Sequence, residues 1–163
     1  MEIDMPDPSR IGIDVGEKLP LEEAVAWAAQ AGVQIIDVQL DGTGIRLDAS
    51  RAGRIREQCE RHGIRLGLHT SSAVNVAEMA PYVGDAVDAY LAAYVDAADL
   101  LGAGWIVVHA GYHFSSNVAQ RMDAGLQRLR RAVSYAESKN TRLLLENLNK
   151  EPPDAEVHYL AHT

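Results

Sequence analysis

Three residues in this chain have side-chain types suited to binding a divalent metal. Each ends an apolar run. His69 closes Ile64-Arg-Leu-Gly-Leu-His69, His109 closes Trp105-Ile-Val-Val-His109, and Glu146 closes Thr141-Arg-Leu-Leu-Leu-Glu146. Two neutral imidazoles and one carboxylate suit Zn2+, or Mn2+ and Fe2+ if further oxygen ligands join. The carboxylate of such a set can bridge a second ion or move a proton while the imidazoles hold the first. A single histidine at a strand end is as well explained by a polar hydrogen bond. Three metal-type ligands at three successive strand ends favour a metal site over a polar rim.

The elements that must position these residues read as alternating strands and helices. Arg10 to Val15 is a strand, followed by a helix from Pro20 and Leu21 to Ala31, with Glu22 and Glu23 in its first turn and Gly32 as its stop. Val33 to Leu40 is the second strand, and the loop Asp41-Gly-Thr-Gly44 follows. Asp48 is placed to cap a helix through His62, closed by Gly63, whose inner face is Ala52, Ile55 and Cys59. Ile64 to Thr70 is the third strand, and the connection Ser71 to Val83 contains a helical turn near Asn75 to Met79. The next helix runs from about Gly84 to Leu101 on Val87, Leu91, Tyr94, Val95, Ala98 and Leu101. Trp105 to His109 is β-branched and apolar, and reads as a strand buried on both faces. Ala110-Gly111 behind it is small enough for a loop to turn close to a ligand.

Ser115 to Asn140 is a long helix on Val118, Met122, Leu126, Leu129, Val133 and Ala136, and Thr141 to Leu148 is the fifth strand. Pro152-Pro153 breaks the chain, and Asp154 is placed to cap a last helix carrying Val157, Leu160 and Ala161. Strict alternation implies an α/β fold with parallel strands and right-handed crossovers. The pattern is (β/α)4-β5. It fits an open doubly wound sheet, or the first part of a (β/α)8 barrel, which takes roughly 250 residues when complete. In a barrel the third, fourth and fifth strands are neighbours, so His69, His109 and Glu146 are expected to converge. Asn75, Tyr112, His113 and Asn147 are the expected substrate-lining residues.

Composition narrows the chemistry. The chain has 163 residues and a formal net charge of −8, which opposes non-specific attraction to nucleic acid or anionic membrane. One domain over 1–163, with 1–9 as a flexible tail, is the expected organisation. Cys59 is the single cysteine, so neither an intrachain disulfide nor a thiolate zinc site is expected. Met1 to Arg10 has no basic and apolar leader pattern, and no apolar run reaches the length of a membrane span, so the cytoplasm is the expected location. Asp14-Val-Gly-Glu-Lys after the first strand is neither a dinucleotide fingerprint nor a Walker loop, and no G-x-S-x-G elbow is present. Unclosed sheet edges lead us to expect self-association.

Three segments resemble a known superfamily. Leu68-His-Thr-Ser-Ser-Ala-Val-Asn-Val-Ala77, Leu101-Gly-Ala-Gly-Trp-Ile-Val-Val-His-Ala-Gly111 and Leu143-Leu-Leu-Glu-Asn147 look like the third, fourth and fifth strands of the xylose isomerase-like TIM-barrel superfamily. That superfamily contains sugar isomerases and epimerases and also the endonuclease IV type of AP endonuclease. The resemblance runs from Ile11 to Leu148 and implies the N-terminal portion of a barrel. By resemblance to the endonucleases, His69 and His109 bind one zinc and Glu146 bridges to a second. By resemblance to the isomerases and epimerases, only Glu146 carries over, as metal ligand and acid/base. The other ligands of either branch lie on strands six to eight. Asp14 stands where the endonucleases have a histidine, and Asp41-Gly-Thr-Gly44 stands where they have an aromatic and basic DNA-gripping loop. The resemblance therefore implies a divalent metal (Zn or Mn) and a small carbohydrate substrate, with isomerase or epimerase chemistry ahead of DNA repair. A third expectation is a barrel fragment that is inactive alone.

Overall fold

In the computed structural model, described for residues 10–41, 45, 47–114 and 117–162, five parallel strands form one twisted sheet. They are β1 (Ile13–Gly16), β2 (Ile35–Val38), β3 (Arg65–His69), β4 (Trp105–His109) and β6 (Arg142–Glu146), neighbours in that order. Helices α1 (Leu21–Ala31), α2 (Ala49–His62), α3 (Pro81–Leu101) and α4 (Val118–Ser138) make the crossovers. Two short strands, β5 (Tyr112–His113) and β7 (His158–Tyr159), pair antiparallel outside the main sheet. The expected tail 1–9 and most of the Asp41 to Gly44 loop lie outside the described residues, as does the expected first residue of the α4 helix, Ser115.

The core lies between the sheet and the helices. Ile36, Val38, Leu66, Leu68, Ile106 and Val108 point into it, and the helices answer with Ala24, Val25 and Ala28, with Ala52, Ile55 and Cys59, and with Val87, Leu91, Tyr94, Val95, Ala98 and Leu101. The faces expected for α2 and α3 are therefore the buried ones. The α2 cap also forms as expected: the Asp48 carboxylate accepts the Arg51 N–H at 2.8 Å, and the helix ends at Gly63. Burial raises the Cys59 thiol to about 11, which makes it a core side chain. No helix among the described residues is long and apolar enough to cross a membrane.

Four details differ from the sequence expectation. First, α3 begins at Pro81, three residues early, because proline's fixed φ and missing N–H suit the first helical position. Second, α4 buries Gly125, Arg128, Ala132 and Ala136, while Met122, Leu126 and Val133 stay exposed. The helix is rotated so that Arg128 points inward, and its apolar stripe overlooks the free edge of the sheet beside Leu145.

Third, β4 is fully buried on one face and only partly on the other. Ile106 and Val108 enter the core, whereas Val107 is half-buried on the opposite face, which also carries His69 and His109. Fourth, the helix expected from Asp154 does not form. A turn closes with Ala155 N–H to Pro152 C=O at 3.0 Å, and the chain then runs extended. Tyr159 pairs with Tyr112 and His158 with His113, Leu160 N–H bonds Gly111 C=O, and Leu148 N–H bonds Ala161 C=O. A helix of about nine residues is marginal on its own, so backbone pairing with β5 wins.

Candidate functional site

Register brings the expected ligands together. In the parallel ladder His69 lies level with Val107, and His109 lies level with Glu146. Val107 and His109 are two residues apart, so their side chains share a face. All three ligands therefore rise from one face at one end of neighbouring strands. His69 and His109 are 9% and 8% exposed, and Glu146 is half-buried. Glu146 Oε2 lies 3.3 Å from His69 Nε2 and 3.2 Å from His109 Nδ1. The two rings stand 5.3 Å apart, tilted by 37°. One ligand atom from each residue falls within 4.8 Å of the others, the one such cluster of His, Cys, Asp and Glu among the described residues.

The donor set fits a divalent cation. The Nδ1 atoms of both histidines are buried without a hydrogen-bond partner, although a carboxylate oxygen stands close to His109. Burial pushes the His109 pKa down, and Glu146 only partly opposes this, so the imidazole is neutral with a free lone pair at neutral pH. A neutral imidazole is the form a metal takes.

Around the triad lies a row of residues that the sequence pattern did not connect. Asp14, Asp37, Gly67, Trp105 and Arg142 are level with one another across all five strands. Trp105 Nε1–H reaches over β3 and donates to Asp37 Oδ1 at 2.6 Å. It can do so because Gly67 has no side chain: a Cβ there would stand 2.2 Å from both Asp37 Oδ1 and the indole. Asp14 Oδ1 accepts the Gly16 N–H at 2.8 Å, and its Oδ2 lies 3.8 Å from His69 Nδ1. Asp14, noticed in the sequence only as a departure from the endonuclease pattern, thus faces the free side of the His69 ring. Burial raises the Asp37 carboxyl, and the Trp105 hydrogen bond offsets part of that rise. Strand period alone places Asp14 and Asp37 on one face, but only the register across β3 shows that Asp14 reaches His69 while Asp37 meets Trp105.

The residues expected to line a substrate pocket divide. Asn75 Oδ1 accepts the N–H groups of Ala77 at 3.1 Å and Tyr112 at 3.0 Å, and its Nδ2 donates to the Tyr112 carbonyl at 3.1 Å. Its amide is spent on fastening β5 to the loop after β3. Gly111 has φ +87°, and a Cβ on it would stand 2.7 Å from Asn75 Oδ1. The small pair after His109 therefore makes room for Asn75. Tyr112 packs edge-on against Phe114, with ring centroids 5.7 Å apart, and His113 stacks on His158. Asn147 is exposed, one residue beyond Glu146.

Arg128 braces the same loop from beneath. Its buried guanidinium donates to the carbonyls of Val76 and Glu78 and lies 3.5 Å from Asp88.

A family model described as the xylose isomerase-like TIM barrel matches residues 25–159. The chain belongs to that family. Solved structures agree on the fold. A D-tagatose 3-epimerase-like protein superposes with a TM-score of 0.72 at 21% identity, over 86% of this chain and 53% of its own. The D-psicose 3-epimerase of Clostridium cellulolyticum H10 gives 0.72 at 14% identity, over 85% and 52%. An L-ribulose 3-epimerase gives 0.69 at 17% identity, over 86% and 50%. No curated protein matches the sequence. This xylose isomerase-like chain spans about half the length of the structures it resembles, so its open sheet corresponds to an incomplete (β/α)8 barrel. In such barrels, chemistry is built at the C-terminal ends of the strands, which is where His69, His109 and Glu146 meet.

Proposed function

We propose that this chain supplies part of a divalent-metal-dependent sugar or sugar-phosphate isomerase or epimerase. The observation that carries the proposal is the convergence of two buried imidazoles and one carboxylate at three neighbouring strand ends. His69, His109 and Glu146 would hold Zn2+ or Mn2+, which when bound polarises a carbonyl and its neighbouring hydroxyl. Burial of the two histidines keeps bulk water from one side of the site. Both imidazole contacts fall on Glu146 Oε2, which leaves Oε1 as the oxygen to take a proton from the carbon beside the carbonyl and return it. Asp14 would orient the His69 ring from its other nitrogen. Tyr112, His113 and Asn147 would meet the carbohydrate, with Asn75 holding Tyr112 in place.

The relatives that carry epimerase names lend the substrate class to this reading. The test is calorimetric titration of the protein with Zn2+ and Mn2+, alongside turnover on a panel of ketoses and ketose phosphates. Metal binding that weakens at least about a hundredfold in His109→Ala and Glu146→Gln, with metal-stimulated turnover lost in both, is the expected result. Equal metal affinity in both variants would sink the proposal.

One observation favours a second reading. Two of the three converging ligands are the histidines ending β3 and β4, which the resemblance ties to the endonuclease IV branch. In that reading the cluster serves a zinc phosphodiesterase acting at abasic sites. The net charge of −8 speaks against DNA as a partner. Incision of a duplex carrying one abasic site by the zinc-loaded protein separates the two readings.

A further inference from the structure

A second group of histidines stands at the same end of the sheet, and neither the fold nor the triad explains it. His113, four residues past His109, lies on β5 directly opposite His158 on β7. Their rings stack 5.3 Å apart at 24°. His113 Nδ1 is buried and has no hydrogen-bond partner. His162 sits where the chain bridges Leu148, two residues past Glu146. Arg121, on the first turns of α4, uses Nη1 on the Ala77 carbonyl at 3.2 Å.

The ionisable groups that bear on His113 are all basic. Its pKa is lowered first by burial and then by His158, Arg121 and His162. Glu151, an acidic residue on the segment leading into β7, accepts the Tyr159 N–H at 3.3 Å. This is the opposite of the His69–His109–Glu146 cluster, where a carboxylate sits between the imidazoles. A metal ion is the wrong occupant. The imidazoles face each other as plates instead of converging their lone pairs, and Arg121 carries a permanent positive charge. An anion is the right one. It would let the stacked imidazoles take protons, and it would give buried Nδ1 a partner. In a chain of net charge −8, such a cluster of basic side chains is a local exception.

We propose that His113 and His158, with His162 and Arg121, form a subsite for the phosphate group of a phosphorylated sugar whose reacting carbons lie over His69, His109 and Glu146. The proposal rests on the metal-dependent isomerase or epimerase reading and selects sugar phosphates over free sugars within it. A phosphate monoester, with close to two negative charges and three acceptor oxygens, matches several cationic donors better than a carboxylate does.

The test is titration of the full chain with inorganic phosphate, followed by NMR of the imidazole C–H groups. Phosphate should saturably shift the His113 and His158 signals. Its affinity should fall at least about fivefold in His113→Gln, in His158→Gln and in Arg121→Gln, the last lying on a helix outside the hairpin. Acetate should bind about tenfold more weakly than phosphate. Absence of any imidazole response to phosphate, or unchanged affinity in all three variants, would overturn the subsite. Acetate binding as tightly as phosphate would overturn the choice of phosphate. Zn2+ affinity, measured separately, should be unchanged in these variants. A protein that binds phosphate but no Zn2+ would keep the subsite and refute the metal reading.

Discussion

Replacing Gly67 with alanine tests how the floor of the site is built. The new Cβ would stand 2.2 Å from Asp37 Oδ1 and 2.2 Å from Trp105 Cε2 and Nε1. Ordinary contact begins more than an ångström further out, and neither neighbour is a loose chain end. Asp37 and Trp105 hold each other through a 2.6 Å hydrogen bond, and both belong to paired strands. One of them must leave. Forced overpacking costs about 1–3 kcal/mol. Loss of the bond to a half-buried carboxylate adds about 1.5–3 kcal/mol. We expect Gly67→Ala to lose about 2.5–6 kcal/mol in urea denaturation followed by tryptophan fluorescence, the sum of those two costs.

The same substitution in a Trp105→Leu background separates the causes. If the clash is the cause, Gly67→Ala should cost at least about 1 kcal/mol less there, because the indole it strikes is gone. A Gly67→Ala protein within about 0.5 kcal/mol of the parent, or equal costs in both backgrounds, would refute the reasoning.

Other expectations follow from the same geometry. Glu22 is held down to about 2, chiefly by hydrogen bonds from Arg51 at 2.6 and 2.8 Å. A depressed carboxylate contributes stability above its unfolded value and loses it as pH falls toward 2, so the parent should lose more stability than Glu22→Gln between pH 5 and 2. Glu22 is 44% exposed, so the difference in acid melts should be only about 0.5–1 kcal/mol. Arg128→Met should cost about 3 kcal/mol, by removing a buried cation from two carbonyls and from Asp88, and hydrogen exchange should rise over residues 75–79. Cys59, with its thiol near 11, should resist alkylation at pH 8 in the folded protein and react readily in urea, as mass spectrometry would show. Exposed Met122, Leu126, Leu144 and Leu145 beside the free edge of β6 should make the protein self-associate on sedimentation, and Leu145→Lys should reduce it.

Period and position were enough to read the triad from the sequence. An apolar run of strand length ending in a ligand-type residue shows where each side chain emerges, and strict β-α alternation makes the strands parallel neighbours. The caps of α2 and the inner faces of α2 and α3 were legible for the same reason, being local and periodic.

What was not legible depends on long-range register or on very short elements. The Asp37–Trp105 bond crosses a strand and needs Gly67 level with both. β5 and β7 are two residues each, too short for any period, and the pairing of Tyr159 with Tyr112 displaced a helix that Asp154 was placed to cap. The α4 face was misjudged because its buried positions include an arginine, whose role is set by carbonyls 50 or more residues away.

The level pairing of His109 with Glu146 has a consequence for folding. β6 has β4 as its only partner strand within the described sheet, so that single ladder sets its register. A slip of one residue would turn Glu146 toward the helices and bring Leu145 or Asn147 level with His109. An ion shared by His69, His109 and Glu146 would bind the correct register and reject the slipped one, since its binding free energy is also folding free energy. Metal would then act as a proofreader of strand alignment, and refolding with and without Zn2+ would differ in yield before it differed in rate.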